Sequence, residues 1–127
     1  MIVVVSGSRD LTDPTLVRDA LIQTCGTGRG VTLFHGGQRG VDTLAGAIGR
    51  ELGWTVIVSP ADWDLLSTDA GPVRNAEMLC KAKRMAARLR VLIEAIALPA
   101  PNSKGTPNFR ALCRLLKVPC FVQPVLP

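Results

Sequence analysis

Ile2-Val3-Val4-Val5 is an unbroken apolar, β-branched run closed by Ser6-Gly7-Ser8. Strands of this kind, apolar on both sides, belong to parallel sheets covered by helices on both faces. The rest of the chain repeats the unit. Thr12-Asp13-Pro14 offers a helix cap with Pro at the first helical position, and Leu16, Val17, Ala20, Leu21 and Cys25 follow at helical spacing. Val31 to Phe34 reads as a second strand, 41–52 as a helix and Thr55 to Val58 as a third strand. A helix is predicted from Pro72 to Ala87 and a fourth strand over Leu89 to Leu98, interrupted by Glu94. A helix over Pro107 to Leu116 and a strand over Pro119 to Val122 complete the pattern. The expected architecture is α/β: a Rossmann-like three-layer sandwich on a parallel five-stranded sheet. Right-handed crossovers give the strand order 3-2-1-4-5.

At 127 residues the chain is one domain's worth, so a single domain over 1–127 is expected. Hydrophobic residues at 47% and a mean hydropathy of +0.27 exclude a disordered or collagen-like chain. The longest apolar stretch, Val91 to Ala100, is short and broken by Glu94, which argues against a membrane span. The run at 2–5 is too brief for a secretory signal and has no basic residue before it, so a cytoplasmic location is expected. Fifteen Lys and Arg against ten Asp and Glu give a net charge of +5, which favours anionic partners. Cys25, Cys80, Cys113 and Cys120 form no C-x-x-C pair, so they are expected to be reduced, buried small hydrophobes holding no metal. Neither G-x-G-x-x-G nor G-x-x-x-x-G-K-[ST] occurs, which argues against ordinary NAD or FAD binding and against a P-loop; no cofactor is expected.

The polar and glycine-rich clusters fall at carboxyl ends of strands, the edge at which open α/β sheets take ligands. Gly7-Ser8-Arg9-Asp10 follows the first strand, His35-Gly36-Gly37 the second, Asp62-Trp63-Asp64 the third and Asn102-Ser103-Lys104-Gly105-Thr106 the fourth. Glycine-rich turns and helix N-termini there suit a phosphate. By contrast, Gly26 to Gly30 leads into a strand at the opposite edge and reads as a connector. Asp42 sits in the first turn of its helix, where the dipole stabilises a carboxylate with or without a ligand. Placed just after Gly71-Pro72, Arg74 is predicted in the first turn of its helix, where the dipole disfavours a cation. That calls for a compensating anion: a bound phosphate, or one of Asp62, Asp64 and Asp69. The basic stretch Lys81, Lys83, Arg84, Arg88 and Arg90 contains no acid and faces either solvent or nucleic acid.

Gly7-Ser8-Arg9-Asp10, His35-Gly36-Gly37-x-x-Gly40-x-Asp42, Ala61-Asp62-Trp63-Asp64, Ala70-Gly71-Pro72-x-Arg74-Asn75-x-x-Met78 and Ser103-x-Gly105-Thr106 together resemble the SLOG superfamily, in particular its YspA/YpsA-related branch of small bacterial and phage proteins. The resemblance spans nearly the whole chain and implies a Rossmann-like domain that binds nucleotides or nucleotide-derived ligands. Arg74-Asn75-x-x-Met78 and the loop from Pro101 to Phe109 are similar to segments of the LOG phosphoribohydrolases. Those enzymes have Lys where this chain has Asn75, and a glutamate where it has Phe109. Gly36 to Asp42 is similar to the glycine-rich turn of the DNA-processing protein A, which binds single-stranded DNA.

The reading that follows is a binding module for a phosphorylated, nucleotide-derived small molecule. Gly7, Ser8, Arg9, Gly36, Gly37, Asp42, Asp62, Trp63, Arg74, Asn75, Ser103, Gly105 and Thr106 are its expected ligand-binding residues. Amides near Gly36 and Gly105 would hold the phosphate, Arg74 would neutralise it, and Asp62 or Trp63 would meet the sugar or base. A nucleoside-monophosphate hydrolase is the alternative, with Arg74 and Glu77 as candidate catalytic residues; Phe109 cannot stabilise an oxocarbenium-like state, so an acid must be supplied elsewhere, by Glu77 first and by Asp42 or Asp62 otherwise. Single-stranded nucleic-acid binding is a further alternative. No membrane partner is expected. A homo-oligomer is, through apolar helix surface such as Ala86-Ala87.

Overall fold

A computed structural model describes residues 1–66, 69–101 and 105–125. The elements run β1 (Ile2–Gly7), α1 (Pro14–Cys25), β2 (Thr32–His35), α2 (Val41–Glu51), β3 (Thr55–Val58), α3 (Trp63–Leu66), α4 (Ala70–Leu89), β4 (Ile93–Leu98), α5 (Gly105–Leu115) and β5 (Cys120–Val122). All five strands pair in parallel in the order β3-β2-β1-β4-β5, as expected.

β1 shows why its sequence is uniformly apolar. Successive side chains alternate between faces. Val3 and Val5 join a core with Val17, Leu21, Val41 and Ile48 from α1 and α2. Ile2 and Val4 join a second core with Met78, Leu79, Phe109 and Cys113 from α4 and α5. Each face is closed by a helix pair, so neither tolerates a polar residue.

The helix starts follow local chemistry. Asp13 caps α1, its carboxylate accepting from Thr15 N–H at 2.9 Å, with Pro14 at the first helical position. Helices α4 and α5 each begin two residues before the proline taken as their start. Pro72 and Pro107 therefore sit third in their helices, where the N–H that proline lacks has no intrahelical acceptor anyway. Helix α4 also runs on to Leu89, so β4 begins at Ile93 rather than Leu89. The apolar run was ambiguous in sequence. Its first residue continues the helical spacing of Ala82 and Ala86, and Arg90 ends the helix in the left-handed region (φ 56°). Glu94 does not interrupt β4; it pairs in register with Val3.

Gly26 to Gly30 is exposed at the amino end of β2, and Trp54 Nε1–H donates to Gly28 O at 2.9 Å across it. It is a connector. Of the cysteines, all free, Cys113 is buried, Cys25 and Cys120 are half-buried and Cys80 is exposed on α4, contrary to the expected burial. Ala86 is committed to its own core, which removes half of the expected Ala86-Ala87 contact surface; Ala87 is exposed. Among the described residues, no helix is long and apolar enough to cross a membrane.

Candidate functional site

The order of the strands reverses between β1 and β4, and the open crevice of a doubly wound sheet lies outside the carboxyl ends at that point. Gly7 ends β1 there. A Cβ on it would come within 2.6 Å of Leu98 O and 2.8 Å of Val41 Cγ2, so the strand end must be glycine for β4 and α2 to close around it. Ser8 N–H donates to Leu98 O at 2.8 Å, and Ser8 O accepts from Val41 N–H at 2.9 Å. Gly40, at φ +79°, presses against the backbone of Ser8 and Arg9, leaving no room for a side chain.

From this edge a single hydrogen-bonded chain crosses the sheet. Arg9 Nε donates to Gln38 Oε1 at 3.1 Å. Gln38 N–H and Gly36 N–H both donate to Asp42 Oδ2, at 3.3 and 3.0 Å. Gly36 O accepts from Arg74 Nη1 at 2.7 Å, Arg74 Nε donates to Asn75 Oδ1 at 2.8 Å, and Asn75 Nδ2 donates to Asn108 Oδ1 at 3.1 Å. The β1 loop, the β2–α2 turn, α4 and α5 are thus tied together by residues that are mostly buried. Asp42 is 4% exposed and Arg74 7%.

Arg74 is the fifth residue of α4 rather than a first-turn residue, because the helix starts at Ala70. Among the described residues the ion pairs are Arg18–Glu51 and Arg39–Asp10, so none joins Arg74 to Asp62, Asp64 or Asp69. Its electrostatic partner is Asp42, whose field opposes the downward push that burial gives the guanidinium pKa. Burial pushes the Asp42 carboxyl up to about 6, even though the Gln38 and Gly36 N–H groups, Arg74 and Arg9 all favour its ionised form.

Beside this network stands His35, 4% exposed at the end of β2. Its Nδ1 accepts from Gly37 N–H at 3.0 Å, which puts the neutral ring's proton on Nε2. Nε2 is buried with no hydrogen-bond partner among the described residues. It lies over Gly46 of α2, where a Cβ would come within 2.7 Å. Burial, then Arg50 and Arg74, lower the imidazole pKa to about 4.

The structure therefore brings together Gly7, Ser8, Arg9, Gly36, Gly37, Asp42, Arg74 and Asn75. Gly105 opens α5, and Thr106 behind it is buried. Asp62 is exposed and caps α3, accepting from Leu65 N–H at 3.0 Å. Ser103, with Asn102 and Lys104, lies outside the described residues, as does the side chain of Trp63. Glu77 is exposed on α4, while Arg74 faces inward, so the pair expected to share one side of a pocket is not formed. Phe109 is fully buried in the α4–α5 core. The amides of 36, 37 and 38 already donate within the chain, which differs from the expectation that Gly36 would hold a phosphate. Asn108 was not singled out in the sequence; it is 33 residues from Asn75, and only the packing of α5 on α4 joins them.

A five-stranded parallel sheet in this order, with its buried polar groups gathered at the carboxyl edge, defines a Rossmann-like α/β protein. Within that class the chain belongs to the YspA, cpYpsA-related SLOG family, whose family model matches residues 1–65. Membership associates it with nucleotide-related binding or processing. The fold is similar to the crystal structure of TM1055, a structural-genomics target, with a TM-score of 0.61 at 19% identity over 94% of this chain and 71% of that one. No curated protein matches the chain.

Proposed function

We propose that the chain binds a phosphorylated, nucleotide-derived small molecule at the carboxyl edge of its sheet, as a sensing, sequestering or processing module. The observation that carries this reading is Arg74, a nearly buried guanidinium anchored by Gly36 O and Asn75 Oδ1 beside the β1–β4 crevice. Arg74 and Arg9 supply two positive charges around the one negative charge of Asp42. A fixed guanidinium fork such as that of Arg74 suits phosphate oxygens. Since the turn amides serve Asp42 and His35, the phosphate falls to Arg74 and to the amino end of α5 at Gly105. The whole chain is read as one such domain.

Thermal unfolding against a panel of nucleotides, cyclic nucleotides and ADP-ribose derivatives tests this. A ligand at about 100 times its Kd adds about 2.7 kcal/mol, which raises Tm by roughly 10 °C for a domain of this size. Arg74→Lys keeps the charge but loses the fork, and at least a tenfold weaker apparent affinity is expected. No shift with any member of the panel would sink the reading.

Binding stands above catalysis because the position that would carry a glutamate is Phe109, at 0% exposure. Of the substitute acids, Glu77 and Asp62 are exposed, and Asp42 Oδ2 is taken by the Gly36 and Gln38 amides. Incubation with nucleoside monophosphates, followed by chromatography, is expected to release no free base. Turnover that disappears in Glu77→Gln would establish the hydrolase instead.

The chain is also expected to form a twofold dimer through exposed aliphatic residues where α4 passes into β4, Leu89 at the helix end and Leu92 just before the strand. Light scattering at micromolar concentration should give twice the 13.5 kDa chain mass. A 13.5 kDa particle would exclude the dimer.

A further inference from the structure

Charge is divided sharply along the chain. Residues 1–77 carry six Lys and Arg against nine acids, whereas residues 78–127 carry nine against one, Glu94. Glu94 is half-buried in β4, so it does not offset the helices outside it. Folding places most of that excess on one layer, because α4 and α5 pack side by side on the same face of the sheet. Lys81, Lys83, Arg84, Arg88, Arg90, Arg114 and Lys117 are all exposed there, and none is in an ion pair among the described residues. Lys83 is used locally, donating to Leu116 O at the end of α5.

Lys81, Arg84 and Arg88 follow at intervals of three and four residues, so they stack in one row on the solvent face of α4. The row spans about 10 Å of helix axis at ~1.5 Å per residue. A nucleic-acid strand presents about three phosphates over that length.

We propose that the α4–α5 face is a second binding surface, distinct from the carboxyl-edge site, that takes the phosphate backbone of a nucleic-acid duplex without reading its sequence. Charge complementarity carries the argument: a polyanion matches a row of cations, and the one acid on that face of α4, Glu77, lies a turn before Lys81 at its amino end. The aromatic inventory selects the duplex over a single strand. Phe109 is the one aromatic residue of α4 and α5, and it is fully buried, so no exposed ring on these helices can stack an unpaired base. The exposed Leu89 and Leu115 lie off the cationic row, each at the end of its helix, so the row itself offers a lipid bilayer no apolar side chain to insert.

The test uses the full chain and a fluorescent 20-base-pair DNA duplex of arbitrary sequence, followed by anisotropy from 50 to 200 mM NaCl. With about four phosphates neutralised, affinity should fall about 100-fold over that range. The exposed-face variant Lys81→Glu/Arg84→Glu/Arg88→Glu should weaken duplex binding at least 30-fold at 50 mM salt. Its far-UV circular dichroism should match wild type, and it should retain the nucleotide-induced thermal shift. The same anisotropy with the single strand, and co-sedimentation with vesicles containing 30% phosphatidylglycerol, complete the experiment. Tighter binding of the single strand than of the duplex would overturn the proposal. So would vesicle binding without duplex binding, an undiminished affinity in the charge-reversed variant, or no duplex binding at 50 mM salt.

Discussion

Gly36→Ala is expected to abolish the nucleotide-induced thermal shift and to lower stability by about 2–4 kcal/mol. A Cβ at position 36 would overlap the Arg74 guanidinium, with Nη1 and Cζ as its nearest neighbours. The obstacle is the far end of a flexible side chain, so the backbone need not move, but Arg74 must. Leaving its place breaks the bonds to Gly36 O and Asn75 Oδ1 and removes the cation that faces Asp42. A buried carboxylate stripped of its charge partner is costly, as is a guanidinium left without acceptors. Urea unfolding at pH 7 measures the loss. Gly37→Ala is the comparison: Gly37 is at φ +75° and exposed, and a Cβ there meets only Val58 Cγ1, at 3.0 Å. It is expected to cost about 1 kcal/mol from the left-handed backbone and to keep the thermal shift. If Gly36→Ala retains a full shift, Arg74 is not the anion's anchor.

The second large effect concerns acid. The Asp42 carboxyl is raised from 3.8 to about 6 in the folded chain, so between those values the native state holds the extra proton. Stability from this group therefore rises as pH falls through 6 and is lost as pH climbs. The His35 imidazole is lowered from 6.5 to about 4, so there the unfolded state holds the extra proton, and stability falls with pH over that window. Two shifts of opposite sense overlap and largely cancel. Removing one uncovers the other.

His35→Gln keeps an acceptor for the Gly37 N–H while eliminating the imidazole titration. Relative to wild type, it should gain about 2 kcal/mol on going from pH 7 to pH 4.5. Asp42→Asn should lose about 2 kcal/mol over the same interval relative to wild type, on top of a pH-independent change from replacing the neutral carboxyl by an amide. Urea midpoints at the two pH values measure both. Parallel pH profiles for the three proteins would show that neither group titrates as its burial requires.

Much of the architecture was legible because its causes are local or periodic. An apolar run such as Ile2 to Val5 reports a strand buried on both faces, and Asp13-Pro14 reports a helix start. The alternation of such signals leaves few topologies, and the observed order was the default among them. Boundaries failed where two local signals competed. Pro72 and Pro107 suit a first helical residue, but proline is equally tolerated later in the first turn, and α4 and α5 use it there. Leu89 satisfied both a strand run and the continuing helical face.

The candidate site was legible in composition and not in connection. Glycines, Ser8, Asp42 and Arg74 at the carboxyl ends of strands could be gathered to one edge by topology alone. That Arg74 reaches Gly36 O across 38 residues, or that Asn108 steadies Asn75 across 33, follows from no spacing in the chain. Nor does spacing show that Asp42, instead of a ligand, takes the Gly36 and Gln38 amides. Sequence by itself determined the number of strands, the starts of α1 and α2, the sheet order and which edge carries the polar groups, because those depend on periodicity, capping and handedness within short stretches. Tertiary structure alone decided which of those groups are buried, who donates to whom and in what state Asp42 and His35 are held. Those properties are set by desolvation and by contacts a few ångströms long between segments that the chain keeps far apart.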